Sequence, residues 1–93
     1  MAESITDLLV SYFRENGLEK TMLEHRLIQL WPETMGEQVA RLTTKVEIRN
    51  GILYVTLRSA ALRAQLFECR SEVVKRLNQT TGGEVIHDIR FLG

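Results

Sequence analysis

Apolar residues recur at helical spacing through the first part of the chain. The pattern predicts a helix from Ser4 to Asn16 and a second helix from about Glu19 to Leu30. Pro32 is expected to end the second helix, because proline lacks an N–H and disfavours helix at the preceding residue. A short third helix is then predicted through Met35, Val39 and Leu42.

The middle of the chain alternates between apolar and polar residues on both sides of Asn50-Gly51. Asn-Gly is the preferred two-residue hairpin turn, because both residues tolerate the positive φ of a type I′ turn. The predicted hairpin has one apolar and one polar face. Its apolar face contains Val46, Ile48, Leu53, Val55 and Leu57. Its polar face contains Lys45, Glu47, Arg49, Tyr54, Thr56 and Arg58.

Helical spacing returns after the hairpin and predicts one long helix from about Ser59 to Asn78. The seam of that helix is formed by Leu62, Leu66, Cys69, Val73 and Leu77. Gly82-Gly83 interrupts the pattern, and residues 84–92 alternate as a third strand. The order helix, helix, short helix, strand, strand, helix, strand predicts an α+β fold, with a three-stranded sheet and helices packed on one face.

The bulk composition narrows the classes of protein. The chain has 93 residues, of which 44% are hydrophobic and 26% are charged, as expected for one globular domain. Twelve basic and twelve acidic residues give no net charge, which argues against binding nucleic acid by bulk charge. The single cysteine, the lack of a signal-like N-terminus and the absence of a long apolar run predict a cytoplasmic protein that does not enter a membrane.

Enzyme signatures are absent from the sequence. His25, His87 and Cys69 lie far apart without metal-ligand spacing, and no cofactor-binding motif is present. His87 is predicted at the edge of the core and Cys69 in the helix seam, where a thiol behaves as a small hydrophobe. Trp31 is predicted in the core, with a partner-binding anchor as the alternative. A small enzyme is therefore the least favoured hypothesis.

Basic residues near an aromatic residue provide the candidate binding site. Cations follow the phosphates of single-stranded nucleic acid, and rings stack on its bases. Arg63 and Arg70 are seven residues apart on the predicted long helix, so they are expected to project in similar directions. The alternative for both groups is an ordinary solvated surface, since Glu47, Glu68 and Glu72 dilute the charge. The predicted nucleic-acid contacts are Lys45, Arg49, Tyr54, Arg58, Arg63 and Arg70.

Several short motifs, taken in order, resemble one known family. They begin with Trp31-Pro-Glu-Thr-Met-Gly36, followed by Gln38-Val39-Ala40 and Thr43. The remaining motifs are Gly51-Ile-Leu-Tyr-Val55, Ser59-Ala-Ala61, Gln65-Leu66, Leu77-Asn78 and Asp88-Ile-Arg-Phe91. Their order and spacing resemble the DciA family of bacterial proteins, long described as a domain of unknown function. The resemblance covers about two-thirds of the chain.

This resemblance implies a single KH-like domain over residues 1–93, with residues 1–17 as a candidate N-terminal helical extension. It also implies a role in DNA replication, in which the protein binds the replicative helicase, helps to load it and binds DNA weakly. The chain has no Gly-x-x-Gly loop, so nucleotide clamping of the usual KH kind is not expected. The alternative is a protein-interaction adaptor without nucleic-acid binding. The sequence determines neither the oligomeric state nor whether the first helix packs on the domain or meets a partner.

Overall fold

The computed structural model describes residues 5, 7–9, 11 and 18–93. Residues 5, 7–9 and 11 are helical, and the rest of the predicted helix from Ser4 to Asn16 lies outside the described residues. The other helices are α1 (Glu19–Met35), α2 (Glu37–Leu42), α3 (Ala60–Glu68) and α4 (Arg70–Thr81). The strands are β1 (Thr43–Arg49), β2 (Ile52–Leu57) and β3 (Asp88–Leu92).

The three strands form one mixed sheet in the order β1-β2-β3. β1 and β2 are antiparallel, and β3 runs parallel to β2. A parallel neighbour requires a crossover, which α3 and α4 provide. The predicted α+β class and order of elements are confirmed.

The hairpin forms at the predicted turn. Asn50 and Gly51 have φ values of 52° and 76°, and Arg49 pairs with Ile52 on either side of the turn. The backbone N–H of His87 donates to the Gly51 carbonyl at 2.8 Å. The His87 ring also lies over Gly51, where an added Cβ would come within 2.5 Å of its Nδ1. Glycine is therefore required both for the turn and for this close approach.

The predicted end of the second helix before Pro32 is wrong. α1 continues through Pro32 to Met35 and stops at Gly36, whose N–H donates to the Pro32 carbonyl at 2.9 Å. Apolar burial on both sides of the proline favours this continuation, because Trp31 is fully buried and Met35 packs against the core. Gly36 has φ 94° and ψ 166°, a conformation essentially limited to glycine, and α2 begins immediately after it.

The predicted single helix from Ser59 to Asn78 is also wrong, because it is divided at Cys69. The Cys69 N–H bonds to the Leu66 carbonyl at 3.2 Å, three residues back, and Cys69 has a ψ of 24°. Its side chain is exposed, so the prediction of a buried thiol in a continuous seam fails. α3 begins as predicted, where the Ser59 hydroxyl accepts a hydrogen bond from the Leu62 N–H at 3.1 Å.

The core lies between the helices and one face of the sheet. Leu53, Val55 and Leu57 of β2 alternate with half-buried residues and are each at most 1% exposed. The buried hydrophobic residues that meet them are Leu27, Trp31, Leu66, Val73, Leu77, Ile86 and Ile89. Helices therefore pack on one face of the sheet, as predicted.

Two polar side chains join separate elements at the edge of this core. The Trp31 indole N–H donates to the Thr43 hydroxyl at 3.1 Å, and that hydroxyl donates to the Val39 carbonyl at 2.8 Å. This chain of hydrogen bonds connects α1, α2 and β1. Trp31 is therefore a core residue, as the sequence predicted.

Asn78 holds the segment before β3. Its Oδ1 accepts hydrogen bonds from the N–H groups of Val85 and Ile86 at 3.0 and 3.1 Å. Its Nδ2 donates to the Ile86 carbonyl at 2.8 Å. These bonds replace a strand over residues 84–87, so β3 begins at Asp88 rather than at Glu84. His87 is exposed, which corrects its predicted place at the edge of the core.

Candidate nucleic-acid interface

The face of the sheet opposite the core is here called the outer face. Strand register determines its members, because residues directly opposite each other point to the same side. Tyr54 on the central strand lies between Glu47 of β1 and Arg90 of β3. The outer face contains Lys45, Glu47, Arg49, Ile52, Tyr54, Thr56, Asp88, Arg90 and Leu92.

Arg49 and Tyr54 are in direct contact on this face. The Arg49 guanidinium lies over the Tyr54 ring, 4.3 Å from its centroid. The guanidinium therefore covers one face of the ring, and the pair combines a cation for a phosphate with an aromatic ring for a base. The side chains of Arg49 and Lys45 are 64% and 66% exposed, so both are accessible.

Two carboxylates balance the cations of the outer face. Glu47 pairs with Lys45 at 2.6 Å and with Arg49 at 3.7 Å. Asp88 pairs with Arg90 at 3.7 Å on the other edge of the sheet. The hydrogen bond and then the charge of Lys45 lower the pKa of Glu47; desolvation opposes them, and the charge of Arg49 adds the smallest lowering effect. The strands thus contribute three cations and two anions, a weakly basic face.

The structure brings Lys45, Arg49 and Tyr54 together as predicted. Arg58 is exposed one residue after β2, and its N–H donates to the Leu42 carbonyl at 2.9 Å. Arg58 therefore lies where the chain leaves the hairpin, next to the end of α2. Arg41, in the last turn of α2, is also exposed.

Arg63 and Arg70 do not project together, because the helix break at Cys69 separates them. Arg63 is half-buried and donates to the Leu57 carbonyl at 2.7 Å, at the end of β2. Arg70 lines a small depression with His87 and Asp88, near the start of β2. These two ends of β2 are roughly 17 Å apart at the usual rise per residue.

Both arginines also have structural partners. Arg70 donates to the Phe67 carbonyl at 2.8 Å, at the end of α3, and its guanidinium lies 4.2 Å from the centroid of the exposed Phe67 ring. Arg63 lies against Gly93 as well as the Leu57 carbonyl. Arg63 and Arg70 thus each donate to a backbone carbonyl, whereas Lys45, Arg49 and Arg90 pair with carboxylates.

Arg90 belongs to the outer face although it was not among the predicted contacts. Its position opposite Tyr54 depends on the parallel pairing of β2 with β3. The alternation of Asp88, Arg90 and Leu92 placed it on the polar side of its strand, but the neighbouring strand could not be deduced from that alternation. The sequence thus indicated which side of β3 Arg90 is on, but not which strand lies next to β3.

The part of the chain that the structure describes contains neither a metal-binding cluster nor a membrane-spanning helix. No group of three His, Cys, Asp or Glu side chains there could hold a metal ion. None of the helices in the same residues is long and apolar enough to cross a membrane.

Comparison with known proteins identifies the family. The family model described as Dna[CI] antecedent, DciA, matches residues 4–91. The chain belongs to the DciA family.

The curated relatives of this DciA-family chain share only a quarter of its residues over the aligned region. It is 25% identical over 80 residues to a UPF0232 protein of Rhodococcus jostii, covering 86% of this chain and 43% of that protein. It is equally similar to a protein of Mycolicibacterium smegmatis described as a UPF0232 protein in the recF-gyrB intergenic region, of which it covers 41%. The chain thus spans less than half the length of these relatives.

Proposed function

We propose that this chain is a DNA-replication accessory domain that binds the replicative helicase and, more weakly, binds single-stranded or forked DNA. The match to the DciA family over residues 4–91 is the observation that supports the proposal most strongly. The proposal assigns the chain no catalytic reaction, and a cytoplasmic location follows from it because bacterial DNA is replicated there.

The outer face is the proposed DNA contact. Lys45, Arg49 and Arg90 of this face, together with Arg58 just beyond the end of β2, would meet phosphates, and Tyr54 would stack on a base. Phosphate contacts carry no sequence information, so binding would be independent of sequence and would weaken as salt rises. The carboxylates of Glu47 and Asp88 reduce the charge of the face, which agrees with weak rather than tight binding.

Fluorescence anisotropy of labelled single-stranded and forked DNA, at two salt concentrations, tests this contact. The double variant Arg49→Glu plus Arg58→Glu should reduce DNA affinity at least tenfold, because it replaces two cations with two anions. The matched control is Lys75→Glu plus Arg76→Glu, which makes the same change of charge on exposed positions of α4. Equal affinity of the outer-face variant and the wild type would refute this contact.

A second candidate is an adaptor that binds the helicase without binding DNA. The ion pairs of Glu47 and Asp88 favour it, since they leave the outer face only weakly basic. The same titration separates the candidates when it is repeated with the host's replicative helicase. An anisotropy change that requires the helicase supports the adaptor, whereas salt-sensitive binding by the chain alone supports the DNA contact.

A further inference from the structure

Strand β1 forms one edge of the sheet. Among the described residues it pairs only with β2, so its other side presents backbone N–H and C=O groups without a neighbouring strand. β1 spans Thr43–Arg49, and a β-bulge between Thr43 and Lys45 leaves the five residues Lys45–Arg49 as its regular edge. An open edge of this length is a template for another strand.

Charges on an edge usually prevent such pairing, because an incoming strand would bury an unpaired charge or meet a like charge. On β1 the outer-face charges alternate in sign along Lys45, Glu47 and Arg49. In one antiparallel register between β1 and β1 of a second copy, the twofold axis passes beside Val46. In that register Lys45 of each copy lies opposite Glu47 of the other, so each charge meets its opposite.

The same register matches the apolar face. Val46 would lie beside Val46 of the second copy, and both would face the side that carries the helices, because Val46 is opposite the buried Val55. Both sets of helices would then cover the same face of a continuous sheet. A pairing shifted by one residue would place them on opposite faces and lose this agreement.

An open groove of about 320 Å³ lies beside β1 on this inner side. Its apolar lining comes from Ile28, Trp31, Pro32, Ala40 and Val46. An added strand along β1 would cover the groove with its inner-face side chains.

We propose that two copies of this chain associate edge to edge along β1 and form one six-stranded sheet. The contact is isologous, with Lys45 meeting Glu47 twice across a twofold axis. The dimer presents two outer faces side by side. The dimer requires no DNA and no helicase, so its test is independent of the proposed function.

Sedimentation equilibrium of the full chain, over micromolar to millimolar concentrations at low salt, tests the dimer. The wild type should approach twice the monomer mass, and the dissociation constant should rise with salt. Each single reversal, Lys45→Glu or Glu47→Lys, replaces two attractive pairs with two repulsive pairs. Each should therefore raise the dissociation constant about tenfold or more.

Mixing the two single variants gives the decisive result. Each variant loses the Lys45–Glu47 ion pair within its own chain, so a folding defect would persist in the mixture. Opposite charges are restored only between chains, and a 1:1 mixture should form dimers that neither variant forms alone. Arg90→Glu, on the far edge strand β3, is the matched control and should leave the wild-type mass unchanged.

A wild type that remains monomeric at millimolar concentration would overturn the proposal. A dimer that persists unchanged in both single variants would also overturn it, because the contact would then lie elsewhere. Circular dichroism of each variant confirms that the compared chains are folded.

Discussion

The inner and outer faces of the sheet come from the same strands, but their side chains have different surroundings. On β2 the inner residues Leu53, Val55 and Leu57 are at most 1% exposed and meet a packed layer of helices. Their outer neighbours Tyr54 and Thr56 are half-buried among ion pairs. The inner face therefore determines stability, and the outer face is available for binding at low cost to the fold.

The largest test of this difference is truncation of an inner residue. Leu53→Ala should lower the free energy of unfolding by about 3 kcal/mol, because it leaves a cavity in the packed core. Thr56→Ala on the outer face should cost less than about 1 kcal/mol. Urea unfolding of both variants measures the difference, and similar losses would show that the faces are not distinct.

The next test concerns the segment before β3, which Asn78 holds in place and which positions the side chains of β3 on both faces of the sheet. Asn78→Ala should cost about 2 kcal/mol, since it leaves the partly buried N–H groups of Val85 and Ile86 and the Ile86 carbonyl without partners. Asn78→Asp keeps the acceptor and should cost less. Thermal unfolding of the two variants measures both losses. A larger loss in Asn78→Asp than in Asn78→Ala would contradict this role of the Asn78 side chain.

A third test separates binding from stability at Tyr54. Tyr54→Ala should weaken binding of single-stranded DNA by about 1 kcal/mol, roughly fivefold, through loss of stacking. Tyr54→Phe keeps the ring and should bind almost as the wild type does. Anisotropy titrations measure both variants, and equal loss in Phe and Ala would point to the hydroxyl rather than the ring.

The smallest expected effect comes from the carboxylate on the outer face. Glu47→Gln should strengthen DNA binding roughly two- to threefold at low salt, because it frees Lys45 and Arg49 for phosphate. Anisotropy titration against the same DNA checks this increase. Weaker binding by the variant would contradict the role assigned to Glu47.

The same residue gives a pH dependence whose sign follows from its pKa. That pKa is held below its ordinary value of 4.5, chiefly by the Lys45 hydrogen bond. Glu47 thus contributes stability that is present above the unfolded-state pKa and is lost as pH falls through the lowered value. The small advantage of the wild type over Glu47→Gln in urea unfolding should therefore vanish in acid. An advantage that grows in acid would reverse the sign.

The hairpin could be predicted to the residue because local chemistry decides it. Asn50-Gly51 sets the turn, and a period of two then assigns the side chains of residues 45–49 and 52–57 to their faces. The β-bulge between Thr43 and Lys45 breaks this period and was not predicted. The helices were harder to predict because tertiary packing overrides local preference. The apolar spacing continues across Cys69, so no change of period marks the break, and Pro32 remains helical between the buried Trp31 and Met35.

The residues that reveal the family mainly build the fold. Trp31 and Thr43 share a hydrogen bond, Gly36 separates two helices, and Asn78 holds the segment before β3. Their pattern predicts the architecture well but says little about a binding surface. The outer face required the strand order, which added Arg90 and gave Arg63 and Arg70 structural partners.

Mapping of backbone amide chemical shifts by NMR, with a short single-stranded DNA added stepwise, most directly tests whether the outer face binds DNA while the inner face stabilises the fold. The account predicts shifts concentrated in residues 45–58 and 88–92, with little change in α1 and α4. Shifts concentrated on α3 and α4, or no shifts at saturating DNA, would contradict the assignment of binding to the outer face.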